Sequence, residues 1–144
     1  MSNSKFNATV KWSKEGVYCE GESRGFKVAL DEPKELGGTD KAMNPVEMLL
    51  NALGGCMVIC AAAFAGKCKV KLNDFSVEVE GDLDADGFLG INPDVRNGYS
   101  EIRYKFVIDS PSPQENIDKL FKLIEERCPV SDTLKGVTVK YITD

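Results

Sequence analysis

Two cysteines, Cys56 and Cys128, are the residues of this chain whose setting could support chemistry. Cys56 closes the run Asn44-Pro45-Val46-Glu47-Met48-Leu49-Leu50-Asn51-Ala52-Leu53-Gly54-Gly55-Cys56 inside the longest apolar segment. Cys128 opens Cys128-Pro129-Val130-Ser131-Asp132-Thr133-Leu134, where Pro129 stops a second helical pattern. Two thiols held at helix positions so far apart in sequence suggest a reactive cysteine and a partner that resolves it. With five cysteines and no histidine in the chain, every Cys–His dyad and every His-containing metal site is excluded. Thiol redox chemistry is the reading to test.

Each cysteine also has a plain reading, because a cysteine in an apolar helix ordinarily serves as a small hydrophobe. Cys60 takes that reading. It lies one turn beyond Cys56, where Cβ atoms stand about 5–6 Å apart. A disulfide needs about 3.5–4.5 Å, so a Cys56–Cys60 bond would strain the helix. Cys19 and Cys68 belong to no motif and read as structural. If the pair is functional, Cys56 is the attacking thiol and Cys128, exposed by the proline break, its resolver. The negative end of a helix disfavours a thiolate at Cys128. Cys56 needs a cation to activate it, with Lys14, Arg24, Arg96, Arg103 and Arg127 as the candidates.

No metal site is expected: the cysteines form no paired C-x-x-C knuckles. Asp82-x-Asp84-x-Asp86-Gly87 matches the first half of a calcium loop, but Pro93 stands where the bidentate glutamate belongs. A solvated acidic turn is the simpler reading. A net charge of -5 argues against a nucleic-acid partner. The start Met1-Ser2-Asn3-Ser4-Lys5-Phe6 has no apolar core of a secretory signal, and an odd cysteine count does not suit an extracellular disulfide framework. A cytoplasmic protein is expected. The apolar stretch from Ala52 to Gly66 is shorter than the roughly 20 residues of a membrane span. It reads as the central helix of a core or dimer interface, with no membrane partner.

The elements that must position these thiols follow from periodicity. Phe6, Ala8, Val10 and Trp12 alternate with polar residues, predicting a strand with one buried face. Val17 to Glu20 and Phe26 to Leu30 complete a three-stranded antiparallel meander around the turns at Glu15-Gly16 and Ser23-Arg24-Gly25. A loop spans 31–43. Asn44 as N-cap, Pro45 at the first helical position and Glu47 completing a capping box start a helix that runs to about Gly66. Strands follow around Phe75–Val79 and Ile102–Ile108, separated by a polar excursion from Gly81 to Gly98. Ser112-Pro113-Gln114-Glu115 caps a second helix whose apolar face carries Ile117, Leu120, Phe121, Ile124 and Cys128. A last strand through Val137, Val139 and Tyr141 closes the order. The 144 residues read as a single α+β domain, 1–144, with mostly antiparallel sheets packed with two main helices.

Asn44-Pro45, the helix ending in Gly54-Gly55-Cys56, and Cys128-Pro129-Val130-Ser131 together resemble the OsmC/Ohr superfamily, the osmotically inducible and organic hydroperoxide resistance proteins. Pro33-Lys34-Glu35-Leu36-Gly37-Gly38 is similar to the loop preceding the first motif there. The resemblance is to the divergent OsmC-like branch: Val46 stands where characterised members carry a glutamate, and Lys14-Glu15 where they carry an activating arginine. It implies an intertwined homodimer with the apolar helices packed centrally. It also implies a cofactor-free thiol peroxidase. Cys56 would reduce an organic hydroperoxide and become a sulfenic acid, Cys128 would condense with it to a Cys56–Cys128 disulfide, and a dithiol reductant (dihydrolipoyl groups in one branch) would reset the pair. The alternatives are a non-catalytic binding protein using the apolar dimer-interface pocket, or a thiol redox sensor.

Overall fold

The computed structural model describes residues 3–142, so the first two residues of the segment read above for a secretory signal lie outside it. The chain divides into two compact units, Met1–Leu49 and Leu50–Asp144.

The first unit is the expected meander. Strands β1 (Thr9–Trp12), β2 (Cys19–Ser23) and β3 (Phe26–Leu30) pair antiparallel in sequence order. Arg24 and Gly25 both take positive φ, 54° and 88°, which is the backbone a tight hairpin of this hand demands. The Arg24 guanidinium lies over the Phe26 ring, 5.2 Å from its centroid. Gly21 pairs with Val10 on one side and Val28 on the other. A Cβ there would come within 3.3–3.4 Å of both valine side chains.

Two expectations for this unit need correction. β2 begins at Cys19 rather than Val17, because the preceding residues form a turn. Trp12 Nε1 donates to the Gly16 carbonyl at 3.0 Å, and Ser13 Oγ donates to the Tyr18 carbonyl at 2.9 Å. The predicted buried face of β1 is exposed within the chain: Trp12 is 58% accessible and Phe6 85%. Alternation correctly marks an apolar face but does not say what covers it.

The loop after β3 is organised by Asp31. Its carboxylate accepts from Thr39 Oγ1 at 2.6 Å and from the backbone N–H groups of Glu32 and Lys41 at 2.8 and 3.1 Å. These bonds hold the Asp31 carboxyl down at about 2. A short 3₁₀ turn at Lys34–Leu36 ends on Gly37 at φ 90°. A Cβ on Gly38 would fall on the Glu32 carbonyl oxygen. Gly37 is thus required by its backbone conformation and Gly38 by backbone packing.

Helix α1 (Pro45–Phe64) starts in this unit as expected. Asn44 Oδ1 accepts from Glu47 N–H at 2.9 Å and Glu47 Oε1 accepts from Asn44 N–H at 3.0 Å, a reciprocal capping box.

Among the described residues the second unit holds the rest of α1, a two-stranded antiparallel ribbon and three further helices. Strands β4 (Asp74–Asp82) and β5 (Glu101–Asp109) pair along their full length, from Asp74↔Asp109 to Asp82↔Glu101. The polar excursion between them contains a short helix, α2 (Ala85–Phe88), capped by Asp84 Oδ1 accepting from Asp86 N–H at 3.0 Å. Helix α3 (Gln114–Arg127) begins after Pro113, not from a Ser112 cap. Ser112 Oγ accepts instead from Lys71 N–H at 2.8 Å. Pro129, read as a stop, opens α4 (Pro129–Leu134). Residues 137–141 form no strand among the described residues, and Val139 is 92% exposed.

The core of this unit is one buried cluster. It joins Leu53, Met57, Cys60 and Ala61 of α1 to Ile117, Leu120 and Ile124 of α3, with Cys128 just beyond. The i, i+4, i+7, i+8 spacing on α1 is a single stripe. Phe75, Phe106 and Phe121 link the ribbon to α3, with ring centroids 5.7 and 4.8 Å apart. The opposite side of α1 stays open, Ile59 being 70% exposed. At 20 residues α1 is long and apolar enough to cross a bilayer, which corrects the length argument made from Ala52 to Gly66. Its buried stripe nonetheless gives it a place in this core.

Candidate functional site

The site is built where the end of α3 meets the middle of α1. Leu120, Ile124 and Cys128 fall on one face of the second helix, so burying the first two draws the third inward. Pro129 has no N–H to continue α3, and its fixed φ suits the first residue of α4. Cys128 is therefore the last cap of one helix and the first cap of the next. Its N–H donates to the Ile124 carbonyl at 3.0 Å, and its sulfur accepts from Ser131 N–H at 3.4 Å.

Cys56 sits on α1, half-buried, packed against the same cluster. Its thiol lies close enough to that of Cys128 to raise the Cys128 thiol. The two cysteines singled out by their motifs thus meet.

Two expectations about Cys128 are corrected. It is not exposed by the proline break but 1% accessible. Nor does it face only a negative helix end. Burial pushes its thiol up, the Ser131 N–H at the start of α4 opposes that, and the neighbouring Cys56 raises it further.

Cys60 is a residue that the sequence reading set aside. The i, i+4 rule excludes a bond to Cys56 but says nothing of a shared neighbour. In the fold Cys60 is buried in the same cluster as Cys128, one helical turn from Cys56. Burial raises its thiol, Cys128 adds to that, and Cys56 lowers it. Three thiols are therefore grouped. Their grouping was legible only in the shared helical stripe of Met57, Cys60 and Ala61.

Tyr104 is a second missed neighbour. Burial raises its phenol, with further contributions from the nearby Glu125 carboxylate and from Cys128. Its position on the alternating face of β5, with Ile102 and Phe106, was the available signal.

Of the candidate cations, Arg103 is committed elsewhere. It is bonded to Glu80 at 2.8 Å, Asp82 at 2.7 Å and Glu101 at 2.6 Å. Arg24 stacks on Phe26. Beside Gly54 and Gly55, an open groove of about 450 Å³ is lined by Leu50, Val58, Phe75, Val77 and Val79. Among the described residues no group of three or more Cys, Asp or Glu side chains is arranged to hold a metal ion.

Comparison with known proteins agrees with this architecture. A hydroperoxide reductase of Mycoplasma pneumoniae is 28% identical over 117 residues, covering 78% of this chain and 75% of that protein. The uncharacterised protein YmaD of Bacillus subtilis is 29% identical over 125 residues, covering 80% of this chain and 75% of that one. The crystal structure of an OsmC-like protein from Mycoplasma pneumoniae superposes with a TM-score of 0.79 at 25% identity, over 94% of this chain and 91% of that chain. Residues 38–142 match the family model for OsmC-like proteins, and with the α+β fold in hand this chain belongs to that family.

Proposed function

We propose that the chain is a cysteine-based peroxidase that reduces organic hydroperoxides through Cys56 and Cys128. The observation that carries this reading is the packing of those two cysteines, held by separate helices, against one buried cluster. A relative named as a hydroperoxide reductase supports it. The Cys56 thiolate attacks the terminal hydroperoxide oxygen, the O–O bond breaks, and the alcohol leaves with a proton. Cys56 is then a sulfenic acid. Cys128 condenses with it, forming the Cys56–Cys128 disulfide and releasing water. A dithiol returns both cysteines to thiols in a two-electron exchange. Cys56, the half-buried member, is the one that a hydroperoxide reaches.

The proposal places the protein in the cytoplasm, where thiols are kept reduced, and makes it a homodimer. The exposed apolar surface of Ile59 on α1 and of Phe6 and Trp12 in the first unit supports a second copy as their cover.

The test is a stoichiometric cumene hydroperoxide pulse followed by intact mass and peptide mapping. A fast loss of two hydrogens with a Cys56–Cys128 link is expected, and Cys56→Ser abolishes turnover. Full turnover in that variant overturns the proposal.

The groove beside Gly54 and Gly55 favours a second reading, a binding protein for apolar ligands. Thiols untouched by the pulse, with apolar ligands retained in native mass spectra, would establish that reading instead.

A further inference from the structure

Cys60 is a buried thiol that the proposed peroxidase cycle does not use. It lies one helical turn from Cys56 on α1 and shares the buried cluster with Cys128. Helix geometry separates Cys56 and Cys60 by about 5–6 Å at Cβ, so these two do not pair with each other. Cys128, entering from another helix, is under no such constraint and packs into the same buried cluster as Cys60, with Cys56 against it.

We propose that Cys60 is a third redox thiol, which takes over the disulfide from Cys56 so that the bond ends between Cys60 and Cys128. This rests on the peroxidase reading for the formation of the first disulfide. The Cys60 thiolate attacks the Cys128 sulfur. The Cys60–Cys128 bond forms as the Cys56–Cys128 bond breaks, and Cys56 leaves with the electron pair and takes up the proton that Cys60 gave. The exchange is an isomerisation and consumes no further oxidant or reductant.

The exchange changes which thiol is accessible. Before it the free thiol is the enclosed Cys60; afterwards it is the half-buried Cys56. The oxidised state then sits in the core, bridging α1 to the α3–α4 junction. Cys56 is restored while the chain still holds a disulfide, so a second hydroperoxide can react before any reductant arrives.

The experiment maps disulfides in the wild-type protein after one equivalent of cumene hydroperoxide. Cyanogen bromide cleavage at Met57 separates Cys56 from Cys60. A Cys56–Cys128 link that gives way to Cys60–Cys128, with Cys56 again open to alkylation, is expected. Consumption should then reach about two equivalents per chain in the wild-type protein and about one in Cys60→Ser. In parallel, Cys56→Ser treated with diamide should form Cys60–Cys128 directly. A Cys56–Cys128 link that persists in the wild-type protein overturns the exchange while leaving the peroxidase reading intact. If hydroperoxide oxidises nothing but diamide joins Cys60 to Cys128, the peroxidase reading and the exchange both fall, and only the thiol proximity stands.

Discussion

The sulfur of Cys128 accepts the backbone N–H of Ser131 at 3.4 Å, so the proposed resolving thiol also caps a helix. Pro129 locks the first residue of α4 and leaves Cys128 as its N-cap, with its side chain turned onto that donor. A serine can fill this position, since its hydroxyl is among the better N-caps. Cys128→Ser should therefore remain folded, form no disulfide, and accumulate a Cys56 sulfenic acid that dimedone traps. Cys128→Ala loses the cap and leaves a cavity, and should cost about 1–2 kcal/mol in urea unfolding. If the serine variant unfolds as readily as the alanine variant, the cap is not what the sulfur contributes.

The resolving step should depend on pH in a particular sense. Burial raises the Cys128 thiol above its ordinary 9.0, against the pull of the Ser131 N–H. Condensation with the sulfenic acid needs the thiolate. The rate of disulfide formation after a hydroperoxide pulse should thus rise with pH and still be climbing above 9.0, where an ordinary thiol levels off. Stability moves the other way. The unfolded chain sheds this proton first, so stability is fully present below 9.0 and declines as pH rises through it. Acid-quenched intact mass measures the rate, and a plateau below 9.0 would contradict the buried thiol.

Asp31 should govern the acid limb of stability. Its carboxyl lies at about 2 in the fold against 3.8 in the unfolded chain, held there first by Thr39 Oγ1 and then by backbone N–H groups. Its stabilisation is present above 3.8 and is lost as pH falls toward about 2. Asp31→Asn should lower the thermal midpoint at pH 7 and flatten its decline across that window. An unchanged acid limb would mean that the loop is held without its charge.

How much of this was legible in the sequence depends on the range of the interaction concerned. The capping box of Asn44 and Glu47 is local, spans four residues, and was read correctly. The alternation of Ile102, Tyr104, Phe106 and Ile108 likewise named β5, because a two-residue period has few rivals. Pro129 was read as a stop, which it is for α3. That it also begins α4 depends on Ser131 finding the Cys128 sulfur. Cys60 was set aside by a rule about pairs on one helix, whereas its relevant neighbour comes from another helix. Val137–Tyr141 carries a strand pattern but pairs with no strand among the described residues, and pattern alone supplies no partner.

Gly54 should prove to be a spacing device for the helix that carries Cys56. A Cβ at Gly54 would stand 3.2 Å from Val79 Cγ2 and 3.9 Å from the Val77 carbonyl, while one at Gly55 would meet nothing within 4 Å. Alanine in a helix interior gains about 0.5–1 kcal/mol over glycine when space allows. Gly55→Ala should therefore stabilise the chain by about that amount. Gly54→Ala should lose the gain to overpacking of about 1–3 kcal/mol, because β4 lies directly beneath. Shortening Val79 to alanine relieves that overlap. In a cycle with Gly54→Ala it should give a favourable coupling of about 1 kcal/mol in urea unfolding. Because Cys56 lies two residues on, Gly54→Ala should also slow disulfide formation with Cys128, and Val79→Ala should restore it. Additive effects at 54 and 79 would show that the helix does not rest on Val79.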